Sequence, residues 1–175
     1  MATYKIDAAH SEINFRVKHL MITNVTGTFR EFNAEMESNT TDFSDATIRF
    51  EADVNSISTN NDQRDGHLKS DDFFNAEKFP KLTFTSGRLE KKSDTEYILS
   101  GELTIRDIKK IVSFKVEFGG LMTDPWGQEK AGFEITGTIS RKEFDLKWNA
   151  TTEAGGIVVS DEVRLQLAVQ MIKQA

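Results

Sequence analysis

Polar and apolar residues alternate along most of this chain, and that period of two is the condition its fold has to satisfy. The run Glu12-Ile13-Asn14-Phe15-Arg16-Val17-Lys18-His19 alternates throughout, and so do Ala46 to Val54, Val112 to Phe118, Phe133 to Ile139 and Val163 to Met171. Successive side chains of a strand point to opposite faces, so each run reads as a strand with one dry face and one wet face. Phe15, Val17 and His19 share the dry face of the first run. Many such strands with almost no amphipathic helix point to an all-β chain whose antiparallel sheet closes into a barrel. Thirteen Phe against two Tyr and two Trp make the dry faces unusually greasy, because Phe has no polar atom that needs a partner. At 175 residues the chain fits one domain of this kind.

Eight strands are predicted near 12–19, 27–37, 46–55, 81–86, 96–106, 111–119, 131–140 and 161–172, with a short segment at 3–7 pairing with one of them. Turn signals separate them at Asn39-Thr40-Thr41-Asp42, Lys91-Lys92-Ser93-Asp94, Gly119-Gly120, Asp124-Pro125-Trp126-Gly127 and Gly155-Gly156. Pro80 and Pro125 both fall outside these strands, as a sheet requires. Residues 62–74 lack alternation and carry good helix formers, and Ser140 with Glu143 three positions later forms a capping-box pattern. Both segments are expected as short helices capping the barrel rim. In the second strand the pattern slips as at a bulge, which leaves open whether Phe29 or the set Phe32, Ala34 and Met36 faces inward.

Eight long strands enclose room for side chains or for one small ligand. Eight residues extend to about 26 Å, enough for an acyl tail or several isoprene units. The faces Ile48-Phe50-Ala52-Val54, Leu99-Gly101-Leu103-Ile105, Val112-Phe114-Val116-Phe118 and Phe133-Ile135-Gly137-Ile139 carry no charge. They either fill a solid core or line a tunnel, and periodicity permits both. Gly101 and Gly137 interrupt these faces, where a bend, a bulge or a close approach would create room.

The stretch Asp7-Ala8-Ala9-His10-Ser11-Glu12-Ile13-Asn14-Phe15-Arg16-Val17-Lys18-His19-Leu20 resembles the opening of the YceI-like, polyisoprenoid-binding family. Arg64-Asp65-Gly66-His67-Leu68-Lys69-Ser70-Asp71-Asp72-Phe73-Phe74, followed by Phe79-Pro80-Lys81-Leu82-Thr83-Phe84, is similar to that family's most distinctive segment. Gly101 to Arg106, Gly132-Phe133, Ser140 to Phe144 and Ser160 to Val163 continue the match in order, so the likeness covers essentially all of residues 1–175 as one domain. It implies a lipocalin-like eight-stranded antiparallel barrel with an apolar tunnel. It also implies a long amphipathic lipid as ligand: a polyprenyl quinone or phosphate, or a fatty acid or its amide. The tail would lie against Phe15, Val17, Phe50, Phe84, Leu103 and Ile105 on one set of strands. On the others it would meet Phe114, Val116, Phe118, Phe133, Ile135, Leu165 and Leu167. The head group would sit at the rim near His19, Arg64 and His67. A homodimer fits the same likeness. The chain departs from the family pattern at Asp107-Ile108-Lys109-Lys110-Ile111-Val112 and at Asp145, both expected near the rim, and no leader is expected.

Other constellations point elsewhere only weakly. The net charge of −6, with 22 basic residues interspersed among 28 acidic ones, excludes the basic stripe that nucleic acid requires. The chain has no Cys, hence no disulfide and no thiolate chemistry. Met1 to Asp7 lacks the basic start and apolar core of a signal peptide, so the expectation is a cytoplasmic protein, or a periplasmic one if a leader preceded it. No apolar run reaches the ~18 residues of a membrane helix. His10, His19 and His67 fall on three different predicted elements, so a three-His metal site is not demanded. Asn61 to Asp72 mimics a calcium loop but begins with Asn, ends with Asp and carries Arg64 and Lys69. No metal and no cofactor is expected. Arg64, Asp65 and His67 either pin the helix to the rim or hold an anionic head group. His10 and Ser11 are sequence neighbours that point to opposite faces, a poor nucleophile and base, so no catalytic set is expected. The reading is a non-enzymatic lipid carrier or store, and the alternative is a solid, stress-associated barrel whose partner is another protein.

Overall fold

Eight antiparallel staves close into a barrel in the computed structural model, which describes residues 1–149 and 158–175. The first stave is β1 (Ala2–Ile6) and β2 (Glu12–His19), interrupted by a single 3-10 turn at Ala8–His10. The second is β3 (Thr23–Phe29) and β4 (Phe32–Ser38), and the third is β5 (Thr47–Asp53) with the two-residue β6 (Ile57–Ser58). β7 (Lys81–Lys91), β8 (Glu96–Ile105), β9 (Ile108–Thr123), β10 (Glu129–Ser140) and β11 (Val159–Lys173) complete the circuit. The ring closes where β11 pairs with β2 through Leu165 opposite Phe15, and with β1 through Met171 opposite Ile6. Closure leaves no long unpaired edge.

The structure corrects several expected boundaries. The second predicted strand is two strands, because the chain bends at Arg30 and Glu31 and changes partners there: β3 pairs with β2 and β6, β4 with β1 and β5. The bend resets the face, so Phe29 and the pair Ala34 and Met36 are all buried. Gly119-Gly120 is not a turn. It lies inside β9 at a bulge opposite Gly132 and Phe133, with Gly120 at φ 113°. The helix is shorter than predicted: α1 spans Asp62–Lys69, and the Ser70 hydroxyl donates to the His67 carbonyl at 2.6 Å to end it. Its start is capped by Asn61, whose side chain accepts from the Arg64 amide at 2.9 Å. Arg141–Phe144 does form one 3-10 turn, but Ser140 makes no side-chain cap. Asp161 of β11 replaces it, accepting from the Lys142 amide at 3.0 Å and from the Ser140 hydroxyl at 2.6 Å. Gly155-Gly156 lies outside the described residues. Among those described, no helix is long and apolar enough to cross a membrane.

A plug closes the end of the barrel opposite α1. Phe43, on the loop between β4 and β5, is fully buried with a left-handed φ of 60°. Such a backbone is unfavourable for a bulky residue. Burial of the ring against Tyr4, Phe118 and Phe133, at centroid distances of 5.3–5.6 Å, offsets it. Tyr97 donates its hydroxyl to the Asp42 carbonyl of the same loop.

Two carboxylates shape that loop. Asp42 accepts from the Ser44 amide and hydroxyl at 3.0 and 2.8 Å and from the Thr40 hydroxyl at 2.9 Å. These bonds hold its carboxyl far below the usual range. The Ser38 hydroxyl and Asn39 amide, at 2.5 and 2.8 Å, pull Asp45 down to about 2. A carboxyl whose folded pKa lies below its unfolded one stabilises the fold above that unfolded value, near pH ~4, and ceases to as pH falls through the folded value. Thermal unfolding of the native chain should therefore lose midpoint steeply between pH ~4 and ~2, and Asp45→Asn should flatten that slope. Identical profiles for the two proteins would remove Asp45 from this role.

Candidate ligand cavity

The inward faces do not meet. They surround a cavity of about 360 Å³, within the range of small-molecule sites. Its wall is apolar from end to end except for Asn14, Lys18, His19, Arg64 and His67. The last four lie at the C-terminal end of β2 and on α1, at the end opposite the plug. The interior is therefore a dry sleeve with all its polar lining residues but Asn14 collected at one mouth.

Three phenyl rings lie flat against this wall because a glycine faces each. A Cβ at Gly27 would overlap the ring of Phe15, one at Gly137 the ring of Phe114, and one at Gly101 would stand 2.6 Å from Cζ of Phe84. The two strand glycines flagged by the sequence are thus close approaches, and they keep the rings out of the lumen.

Of the residues expected to meet a tail, Phe15, Val17, Phe50, Phe84, Leu103, Ile105, Phe114, Val116, Phe133, Ile135, Leu165 and Leu167 all line the cavity. Phe118 does not. It shares the parity of Val116 but stands lower on β9, where it stacks on Phe133 at 5.3 Å and abuts Phe43 as part of the plug. His19, Arg64 and His67 all reach the mouth.

Both readings of the α1 cluster have a structural counterpart, divided between residues. Asp65, 8% exposed, does the pinning: its carboxylate accepts from the Thr59 amide at 2.8 Å and hydroxyl at 2.6 Å. Arg64 is exposed, and two of its guanidinium nitrogens donate to the Thr59 hydroxyl and carbonyl, each at 2.8 Å. His67 Nε2 lies 2.8 Å from Asp72 Oδ2. The His67 ring stands edge-on to Trp148 at 4.7 Å and to Phe73 at 5.1 Å. His10 is far from both other histidines, bound to Asp7 at 2.8 Å beside β1. Among the described residues no group of three or more His, Asp or Glu is placed to hold a metal ion.

The mouth is built largely by residues that periodicity could not point to. Leu68, Phe73 and Phe74 come from α1 and the turns after it, and Leu146 and Trp148 from the stretch after the 3-10 turn. Arg106 secures the first group by donating to the Phe73 and Asp71 carbonyls, each at 2.7 Å. It belongs to a hairpin turn in which Arg106 and Asp107 both have left-handed φ, at 52° and 64°. That is the rim segment where the sequence departs from the family pattern. Arg141 secures the second group. Its guanidinium, 2% exposed, donates to the Leu146 and Trp148 carbonyls and across to Ser160 and Val159. Burial lowers its pKa from the ordinary value, and nearby Asp161 partly opposes that.

Comparison with known proteins agrees with this architecture. The family model for the YceI-like domain matches residues 4–171. The chain belongs to the YceI-like family. A UPF0312 protein of Staphylococcus aureus is 38% identical over 173 residues, covering 97% of each chain. The crystal structure of a Campylobacter jejuni YceI protein superimposes on this YceI-like barrel with a TM-score of 0.77 at 32% identity, over 90% of each chain. A polyisoprenoid binding domain from Saccharophagus degradans shares the fold, with a TM-score of 0.73 at 16% identity and 98% coverage of both chains.

Proposed function

We propose that this YceI-like barrel is a non-enzymatic carrier or store for one long-chain amphipathic lipid, its tail in the sleeve and its head at the mouth. The observation that carries this reading is the distribution of polarity: about 360 Å³ of apolar lumen with Lys18, His19, Arg64 and His67 at one end. Burial of apolar surface supplies the affinity, at ~0.8 kcal/mol per methylene, and the few polar groups set the orientation. A polyprenyl quinone or phosphate, or a fatty acid or its amide, matches that layout. A polyisoprenoid-binding neighbour of the same fold supports the first pair. The reading takes the protein as cytoplasmic and able to form a homodimer, with no nucleic acid partner and no inserted membrane segment.

Native mass spectrometry of the purified protein, followed by lipid extraction, tests it. The expected result is one lipid per chain, exchangeable for an added polyprenyl lipid or fatty acid. A bare mass that neither ligand class shifts would overturn the reading.

A further inference from the structure

We propose that the hairpin between β2 and β3 docks the open end of the barrel on an anionic lipid bilayer. Its tip is Leu20-Met21-Ile22, 42%, 59% and 81% exposed. Leu20 and Met21 both have left-handed φ, at 53° and 62°. A turn with two successive residues of positive φ ordinarily takes Asn and Gly, which tolerate that backbone. Here it carries apolar side chains, kept in place by hydrogen bonds from the Leu20 amide to the Val158 carbonyl at 2.8 Å and from the Ile22 amide to His19 at 3.3 Å. Backbone strain of this sort clusters at functional positions. The tip continues directly from the cavity: His19 and Lys18, one and two residues earlier, both contribute to the mouth.

Charge identifies the surface it meets. From Asn14 to Arg30 the chain carries Arg16, Lys18 and Arg30 and no acidic residue, within a protein of net charge −6. On the outer face Arg16 stands directly opposite Arg164 in the β2–β11 register. Like charges so placed repel unless an anion lies between them, and Glu162 approaches only Arg164, at 3.7 Å. At ~3.3 Å per residue, Lys18 lies about 7 Å and Arg16 about 13 Å behind Leu20. A tip buried by ~5–10 Å would bring Lys18 to the level of lipid phosphates, with the arginines just outside. Docking of this kind lets an apolar tail pass between bilayer and lumen without crossing water. Its purpose rests on the lipid reading above, but membrane contact is measured separately from ligand loading.

The test is co-sedimentation of the full chain with vesicles of pure phosphatidylcholine and with vesicles of an equal mixture of phosphatidylcholine and phosphatidylglycerol. The native chain should bind the mixed vesicles and release them at high salt. The double variant Met21→Ser/Ile22→Ser should bind at least about tenfold more weakly, and Arg16→Glu should lose the preference for phosphatidylglycerol. Both variants should still take up a fluorescent fatty acid from solution, which shows that barrel and cavity are intact. Absence of native binding to either vesicle, or binding by the double variant equal to the native, would overturn the proposal. So would a native dimer that the double variant converts to monomer, which would make the tip a contact between copies. Loss of fatty-acid uptake by the native chain alone would instead count against the lipid reading and leave the docking result standing.

Discussion

Replacement of Arg141 by Ala should lower the unfolding free energy by about 3–5 kcal/mol and the unfolding midpoint by roughly 10 °C. The guanidinium is almost fully buried and is bound to carbonyls of Leu146, Trp148, Val159 and Ser160. Its removal takes the guanidinium donor from the Leu146, Trp148 and Ser160 carbonyls in a dry environment, and each such loss costs about 1–3 kcal/mol, whereas the Val159 carbonyl keeps the Asn149 side-chain amide at 2.8 Å. The same bonds tie the Leu146–Trp148 stretch to β11, so the mouth should loosen before the sheet melts. Arg141→Lys should recover only part of the loss, because one ammonium cannot span a fork of acceptors. Thermal denaturation by circular dichroism measures both. A shift under about 1 kcal/mol for the alanine variant would mean that water reaches these carbonyls.

Two glycine-to-alanine substitutions should have opposite consequences. At Gly101 the new Cβ would collide with the Thr85 carbonyl oxygen and lie 2.8 Å from the Ser86 Cα, both main chain of β7. Backbone cannot yield without opening the sheet, so Gly101→Ala should cost about 3 kcal/mol of stability. At Gly137 the obstacle is only the Phe114 ring, a side chain that can rotate. Phe114 lines the lumen, so Gly137→Ala should turn the ring into the cavity with a stability change below about 1 kcal/mol. The loss should appear in ligand affinity, about tenfold or more for a ~1.4 kcal/mol penalty. Thermal unfolding together with fatty-acid titration separates the two outcomes. Equal stability losses with unchanged affinity at Gly137 would show that the ring moves elsewhere.

The course of the barrel wall was legible because alternation is a local property. β2, β8, β10 and β11 fall within a few residues of where their alternation places them. Phe118 shows where parity stops being enough. Side-chain direction assigns it inward, but its height on β9 sets it among Phe43, Tyr97 and Phe133. Phe43 sits in a turn with no periodicity, so nothing local announces that it fills the barrel's end. Phe73, Phe74 and Trp148 likewise reach the mouth from irregular segments held by Arg106 and Arg141, and those anchors join residues distant in the chain.

From its sequence alone, this protein is determined to be a closed antiparallel barrel of the YceI-like family with a greasy inner face. That follows from a period of two and from ordered motifs, both of which are written in neighbouring residues. Whether the inner face fills or encloses space was decided only in three dimensions. It depends on rings laid against Gly27, Gly101 and Gly137 across strands, on a plug from one loop and on a mouth from others. Packing across a barrel is set by the heights at which distant segments meet, and periodicity carries no information about height.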